Sequence, residues 1–208
     1  MQTTQVKENN VAKVLGFIET IPQISHYFRE EKFYAFVLRC PRLSETDDYI
    51  NVMMNRQVYE GAQFEINQPL CIEGQFRSHN NYSGQGNKLQ LALYAKTIEN
   101  IEMIGEEENT NEIQINGFVC KAPVYRVTPF GREICDLLIA VNRAFNKSDY
   151  IPCITWGKNA KNTSALSVGD NIKITGRIQS RDYKKKVDEE QFITKTAYEI
   201  SVSKFEIL

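Results

Sequence analysis

Residues 150–183 read YIPCITWGKNAKNTSALSVGDNIKITGRIQSRDY, and the order of elements in this stretch decides the fold. Tyr150 to Trp156 predicts a strand, Lys158 to Ser167 a short helix, and Asn171 to Ile178 a further strand. Upstream, residues 113–117 (IQING) alternate, and Ile134 to Val141 is an apolar run broken only by Asp136. Downstream, Thr196 to Val202 supplies the last strand. Five strands with a helix after the third is the arrangement of an OB-fold barrel. A five-stranded sandwich is the alternative, and the position of the helix argues against it.

The same pattern occurs earlier in the chain. Gly16-Phe17 aligns with Gly117-Phe118, Pro22 with Pro123, and Arg42 with Arg143. Asp48-Tyr49-Ile50 aligns with Asp149-Tyr150-Ile151, all at one ungapped offset. Slightly larger offsets pair Gly74 with Gly176, Ser78 with Ser180, Tyr94 with Tyr198 and Glu102 with Glu206. The period is too long for a solenoid, so each copy is a domain. The expected class is all-β with two tandem OB-folds: residues 1–104, a polar linker at 105–112 (GEEENTNE), and residues 113–208.

Of the 208 residues, 42% are hydrophobic and 25% charged, a globular composition. No apolar run approaches the roughly 20 residues that span a bilayer. The first ten residues, MQTTQVKENN, are polar and lack the core of a secretion signal, so the expected location is the cytoplasm. Cys40, Cys71, Cys120, Cys135 and Cys153 are an odd number of thiols, each within an apolar stretch. They read as reduced and buried, with no zinc spacing. His26 and His79 are far apart, and the chain has no P-loop, Rossmann glycines or nucleophile elbow. The expectation is a protein without catalysis, cofactor or metal. Charge is divided unevenly. Residues 1–108 hold 10 Lys and Arg against 15 Asp and Glu, net −5, and residues 109–208 hold 15 against 11, net +4. The two copies therefore do different work.

Strand alternation separates core from surface in the basic copy. Ile172, Ile174, Gly176 and Ile178 share one face. Lys173, Thr175, Arg177, Gln179, Arg181 and Tyr183 share the other. Tyr150 and Trp156 lie on one side of their strand, roughly 20 Å apart at about 3.3 Å per residue. That span suits several bases of an extended strand. Aromatics interleaved with Lys and Arg are what sequence-tolerant single-strand binding needs, since every base offers a π-face and every nucleotide a phosphate. Neither contact reads the sugar, so RNA stays open beside DNA.

The second copy resembles the bacterial single-stranded DNA-binding protein family along nearly its whole length. The resemblance is carried by Asn116-Gly117-Phe118-Val119, Thr128-Pro129-Phe130-Gly131, Ala140-Val141-Asn142-Arg143, Tyr150-Ile151-Pro152 and Trp156-Gly157-Lys158-Asn159-Ala160. It is most specific at residues 169–183 and 196–202. The first copy is similar more weakly, best at residues 72–78 (IEGQFRS). The resemblance implies base stacking on Phe145, Tyr150, Trp156 and Tyr183. It implies basic contacts from Lys158 and Arg181, with Arg143, Lys147 and the run Lys184, Lys185 and Lys186 nearby. Lysine runs on hairpins are ordinarily only solvated, so that run is weak evidence alone.

The first copy departs from the pattern. Ser44 stands where the second has Phe145, and Asn55 where it has Trp156. Tyr49 remains, and Tyr82 falls one position past the counterpart of Tyr183. With its negative charge, this copy is expected to be a poor stacking platform. The family usually carries a long tail with an acidic, partner-recruiting tip, whereas this sequence stops at SKFEIL (203–208), so no such tail is expected. The resemblance is to a family that works with four OB-folds together, and for a chain with two folds it implies a homodimer. The expected function is sequence-tolerant binding and protection of single-stranded DNA in replication, recombination or repair. The rival is a primosome-like accessory protein whose OB surfaces meet mainly protein partners.

Overall fold

The computed structural model describes residues 8–42, 44, 46–80, 89–105, 109–186 and 192–208. The first half runs β1 (Asn10–Ile18), β2 (Gln23–Phe28), β3 (Glu31–Pro41), β4 (Asp47–Asn55), α1 (Arg56–Glu60), β5 (Pro69–Asn80) and β6 (Leu89–Asn100). The second repeats it as β7 (Asn111–Val119), β8 (Val124–Val127), β9 (Glu133–Arg143), β10 (Lys147–Trp156), α2 (Gly157–Thr163), β11 (Asn171–Lys186) and β12 (Phe192–Ile207).

Each half closes on itself. β1, β5, β6, β4 and β3 pair in sequence, and β3 returns to β1. β7, β11, β12, β10 and β9 do the same, with β9 returning to β7. The β4–β6 and β10–β12 pairs are parallel, and the other pairs are antiparallel. These are the two OB-folds expected from the sequence. Closure places alternate side chains inside. Leu38, Ile50, Ile72, Phe76 and Leu93 fill the first barrel, and Ile139, Ile172, Ile174, Ile178 and Ile200 the second. Gly74 and Gly176, aligned in the repeat, sit where strands meet most closely. A Cβ there would lie 2.1 Å from the Tyr94 carbonyl oxygen and 2.3 Å from that of Ser201. Both glycines adjoin the one register irregularity of their strand pair.

Three details differ from the sequence reading. Each half has a sixth strand, β2 or β8, whose residues are all exposed. With neither face buried, such a strand carries no hydrophobic period to detect. The helix expected at Lys158 to Ser167 is the shorter α2, closed by backbone bonds from Ser164 to Ala160 and Asn162. β7 begins at Asn111 and so takes up the last two residues of the stretch read as linker.

The halves join through β1 and β7, which pair antiparallel with Ala12 opposite Ile113. Repeated residues lock this junction twice. Beside it, each within its own half, Asn10 exchanges two hydrogen bonds with the Phe76 backbone, and Asn111 does so with Ile178. Buried Asp48 accepts from the Ser180 amide at 2.8 Å, and the Tyr49 amide donates to the Ser180 hydroxyl at 2.8 Å. Asp149 accepts likewise from the Ser78 amide, and the Tyr150 amide donates to the Ser78 hydroxyl. The two locks differ in charge. Asp48 is held by Arg42 at 2.5 and 2.8 Å and by Arg177 at 2.9 Å. Asp149 has Arg143 at 3.2 Å, close enough to pair but without hydrogen-bond alignment. Burial pushes the Asp149 carboxyl above its ordinary pKa, opposed by Ser78, Arg143 and Arg77.

Cys40, Cys135 and Cys153 are buried free thiols, with Cys71 and Cys120 half-buried. Burial raises the Cys153 thiol far above its usual range. Among the described residues no helix is long and apolar enough to cross a membrane.

Candidate nucleic-acid interface

The outward face of β10 carries Tyr150 at one end and Trp156 at the other, 46% and 37% exposed. Between them Pro152 stands opposite Leu138 of β9, and Tyr150 stands opposite Ala140. The result is an apolar strip bounded by two aromatic rings. Ile154 and Ile134 belong to the same face by register but are buried. The Trp156 indole N–H donates to the Ser201 hydroxyl at 3.2 Å, which fixes the ring without covering it.

Phe145 tops the β9–β10 turn and is 94% exposed. Its φ is +61° and that of Asn146 is +53°, the left-handed region that a bulky side chain disfavours. The tight hairpin turn sets this backbone, but packing gives no reason for a large ring there, left in water. Below it, Lys147 stands directly opposite Arg143 across the strand pair. The buried Asp149 carboxylate, 3.2 Å from Arg143, meets part of this positive charge, and Lys147 stays exposed.

The remaining expected contacts are spread more widely. Lys158 is exposed on α2. Arg181 and Tyr183 lie on the arm formed by β11 and β12, where Tyr183 opposes Lys195. Arg181 faces Glu199 at 3.8 Å, and Glu199 is already bonded by Gln179 at 2.6 Å. Lys173 is half-buried on β11, opposite Glu206 on one side and Asn116 on the other. Arg177 sits inside the junction, with its charge met by Asp48. Burial pulls its pKa down, and Arg42 beside it adds to the effect. Lys184, Lys185 and Lys186 continue β11, but their side chains lie outside the described residues, as does Tyr82.

The first half uses the equivalent positions differently. Asn55, in the place of Trp156, caps α1 by accepting from the Val58 amide at 3.0 Å. Asn51 and Tyr198 of the second half line one cavity. Tyr49 is 42% exposed beside a cavity of about 350 Å³ lined by Arg42, Asp182 and Tyr198. Tyr34, Tyr59 and Phe64 stack on one another, at 3.9 and 5.5 Å, against the barrel wall. They serve packing.

Sequence reasoning missed the β8–β9 hairpin. Its loop places Phe130, 92% exposed, and Arg132 beside Trp156, around an open cavity of about 540 Å³ completed by Thr128. The signal was present as an apolar residue inside the turn sequence Thr128-Pro129-Phe130-Gly131, where polar residues are the rule.

The family model described as "Single-strand binding protein family" matches residues 110–208. A single-stranded DNA-binding protein of Clostridium tetani is 35% identical over 91 residues, covering 40% of this chain and 63% of that protein. Single-stranded DNA-binding protein A of Bacillus subtilis is 31% identical over 96 residues, covering 43% and 56%. Protein B of the same organism is 31% identical over 91 residues, covering 40% and 80%. The chain thus spans less than two thirds of the length of the first two relatives. Among solved structures, the wild-type single-stranded DNA binding protein from Thermus aquaticus superposes with a TM-score of 0.72 at 18% identity. That match covers 96% of this chain and 92% of the other, so the two-barrel fold is shared end to end.

Proposed function

The chain belongs to the single-strand binding protein family, and from that premise we propose that it binds single-stranded DNA without regard to sequence and protects it during replication, recombination or repair. The second half does most of this work. The observation that carries the reading is the outward face of β10 and its turn, where Phe145, Tyr150 and Trp156 are exposed together on the basic half. Bases stack on these rings, while Lys147, Lys158, Arg181 and the lysines of the β11–β12 arm meet phosphates. The reaction is binding without turnover, in the cytoplasm. Arg177, and in part Arg143, hold the junction and contribute less than their charge suggests.

Trp156 is the chain's single tryptophan, so its fluorescence reports the site directly. Titration with oligo-dT quenches it at saturating, near-stoichiometric ratios, while duplex DNA of equal length leaves it largely unchanged. Equal quenching by duplex would overturn the reading. RNA of the same length, added in competition, tests whether the sugar matters.

The proposed assembly is a homodimer with four barrels. The sheet β6-β5-β1-β7-β11-β12 runs unbroken across both halves and offers one surface to a second copy, with Val11 and Phe118 exposed on it. Light scattering at micromolar concentration should give twice the 24.0 kDa of one chain, and a clean monomer argues against the dimer.

A further inference from the structure

We propose that Phe130, Arg132 and Trp156 form a clamp for one nucleobase and its phosphate, in addition to the strip along β10. The inference rests on the proposed single-strand binding and adds to Trp156 two residues, Phe130 and Arg132, to which neither the sequence reading nor the resemblance assigns a role.

The clamp is built, not incidental. The Thr128 amide donates to the Arg132 carbonyl at 2.8 Å, the Gly131 amide to the Thr128 carbonyl at 2.9 Å, and the Arg132 amide to the Thr128 hydroxyl at 3.1 Å. Gly131 adopts φ +75°, and a Cβ there would meet nothing within 4 Å, so glycine serves the turn and not packing. These bonds close the tip and hold Phe130 in water. The hairpin is then tied to the helix that follows Trp156. The Tyr125 hydroxyl donates to Glu133 at 2.7 Å, and Lys161 of α2 reaches the same carboxylate at 2.9 Å. Together they hold the Glu133 carboxyl below the usual carboxylate range. Phe130 and Trp156 are thus presented by two elements braced against each other, and little order remains to be lost on binding.

The chemistry selects the ligand. Two exposed rings on the rim of a cavity of about 540 Å³ suit a flat aromatic guest. Among the described residues Arg132 forms no ion pair, whereas nearby Arg126 is bonded to Asp136 at 2.7 Å. A free guanidinium beside an aromatic cleft suits a base with its phosphate. The first half lacks the device. Its hairpin turns in two left-handed residues, Arg29 and Glu30, and the position of Trp156 is held by Asn55, whose side chain caps α1 and offers no π-face. Its Arg29 instead lies over Phe28, at 5.4 Å from the ring centre.

The test is oligo-dT affinity at fixed salt for Phe130→Ala, Phe130→Leu, Phe130→Tyr and Arg132→Gln, with Trp156→Ala alongside. Phe130→Ala should weaken binding about tenfold, as loss of one stacked base requires. Phe130→Leu should weaken it similarly, because bulk without a π-face does not replace stacking, and Phe130→Tyr should retain parental affinity. Arg132→Gln should lower the salt slope by about 0.7, one phosphate contact on a single strand. Thermal melts confirm the fold, which an exposed tip residue should not disturb. If Phe130→Ala binds like the parent while Trp156→Ala is weakened, the clamp is wrong and the proposed function stands. If neither variant is weakened, the proposed function fails first.

Discussion

Trp156 and Asn55 occupy equivalent ends of β10 and β4, and the exchange changes what the position does. The indole presents a π-face to solvent, whereas the amide turns back to cap α1. Trp156→Ala should therefore cost about 1–3 kcal/mol of oligo-dT affinity, and Tyr183→Ala a similar amount. Tyr49→Ala should cost much less, since no ring stands near it at the positions of Phe145 and Trp156. Fluorescence anisotropy of labelled oligo-dT at one salt concentration compares the three, and an equal loss for Tyr49→Ala would show that both halves bind alike. Asn55→Ala has the opposite signature. It should lower stability by about 1 kcal/mol through the lost cap and leave affinity unchanged. Chemical denaturation alongside binding separates the two effects.

At the scale of elements, the proposed contacts lie on the hairpins and the barrels hold them. The β8–β9 tip presents Phe130, the β9–β10 turn presents Phe145, and the β11–β12 arm extends to Lys186 opposite Phe192. Loops on a rigid scaffold are free to expose what a barrel must bury. The arm supplies charge without core. Replacing Lys184, Lys185 and Lys186 together by Gln should leave the melting temperature unchanged and lower the magnitude of the salt slope of log affinity by about 2. Titrations across a salt series measure this. An unchanged slope would mean that the lysines are merely solvated and that phosphate contacts lie elsewhere.

For the whole molecule, the decisive feature is the junction between unlike halves. The repeated Asn, Asp, Tyr and Ser are legible in the sequence only as matched letters. The structure shows that the Asp, Tyr and Ser form two reciprocal locks between the halves, β4 with β11 and β10 with β5, while each Asn bonds within its own half. The lock at Asp48 has two arginines and the lock at Asp149 has one loosely aligned partner. Removing Asp48 leaves Arg42 and Arg177 facing each other without a counter-ion. Asp48→Ala should therefore destabilise the chain by about 3 kcal/mol, in the range for breaking a buried ion pair. Asp149→Ala should cost less. Urea denaturation compares them, and equal losses would show that the backbone bonds to Ser78 and Ser180, not the arginines, set the strength of the locks.

The sequence by itself determined the two copies and the closed all-β barrels, because buried strands leave periodic, local marks along the chain. The stacking role of Phe145, Tyr150, Trp156 and Tyr183 came from the family resemblance and stands as a proposal. The sequence did not reveal β2 and β8, which have no buried face and hence no period. It grouped Arg177 with the strand-binding cations because alternation reports which face a side chain is on, not what stands across from it. Only the tertiary structure could place Asp48, distant in sequence, against that guanidinium. The same holds for Phe130 beside Trp156. A turn and a strand end become one site only when the hairpin is braced to the helix, and that brace of Tyr125, Glu133 and Lys161 is made of contacts that exist only after folding.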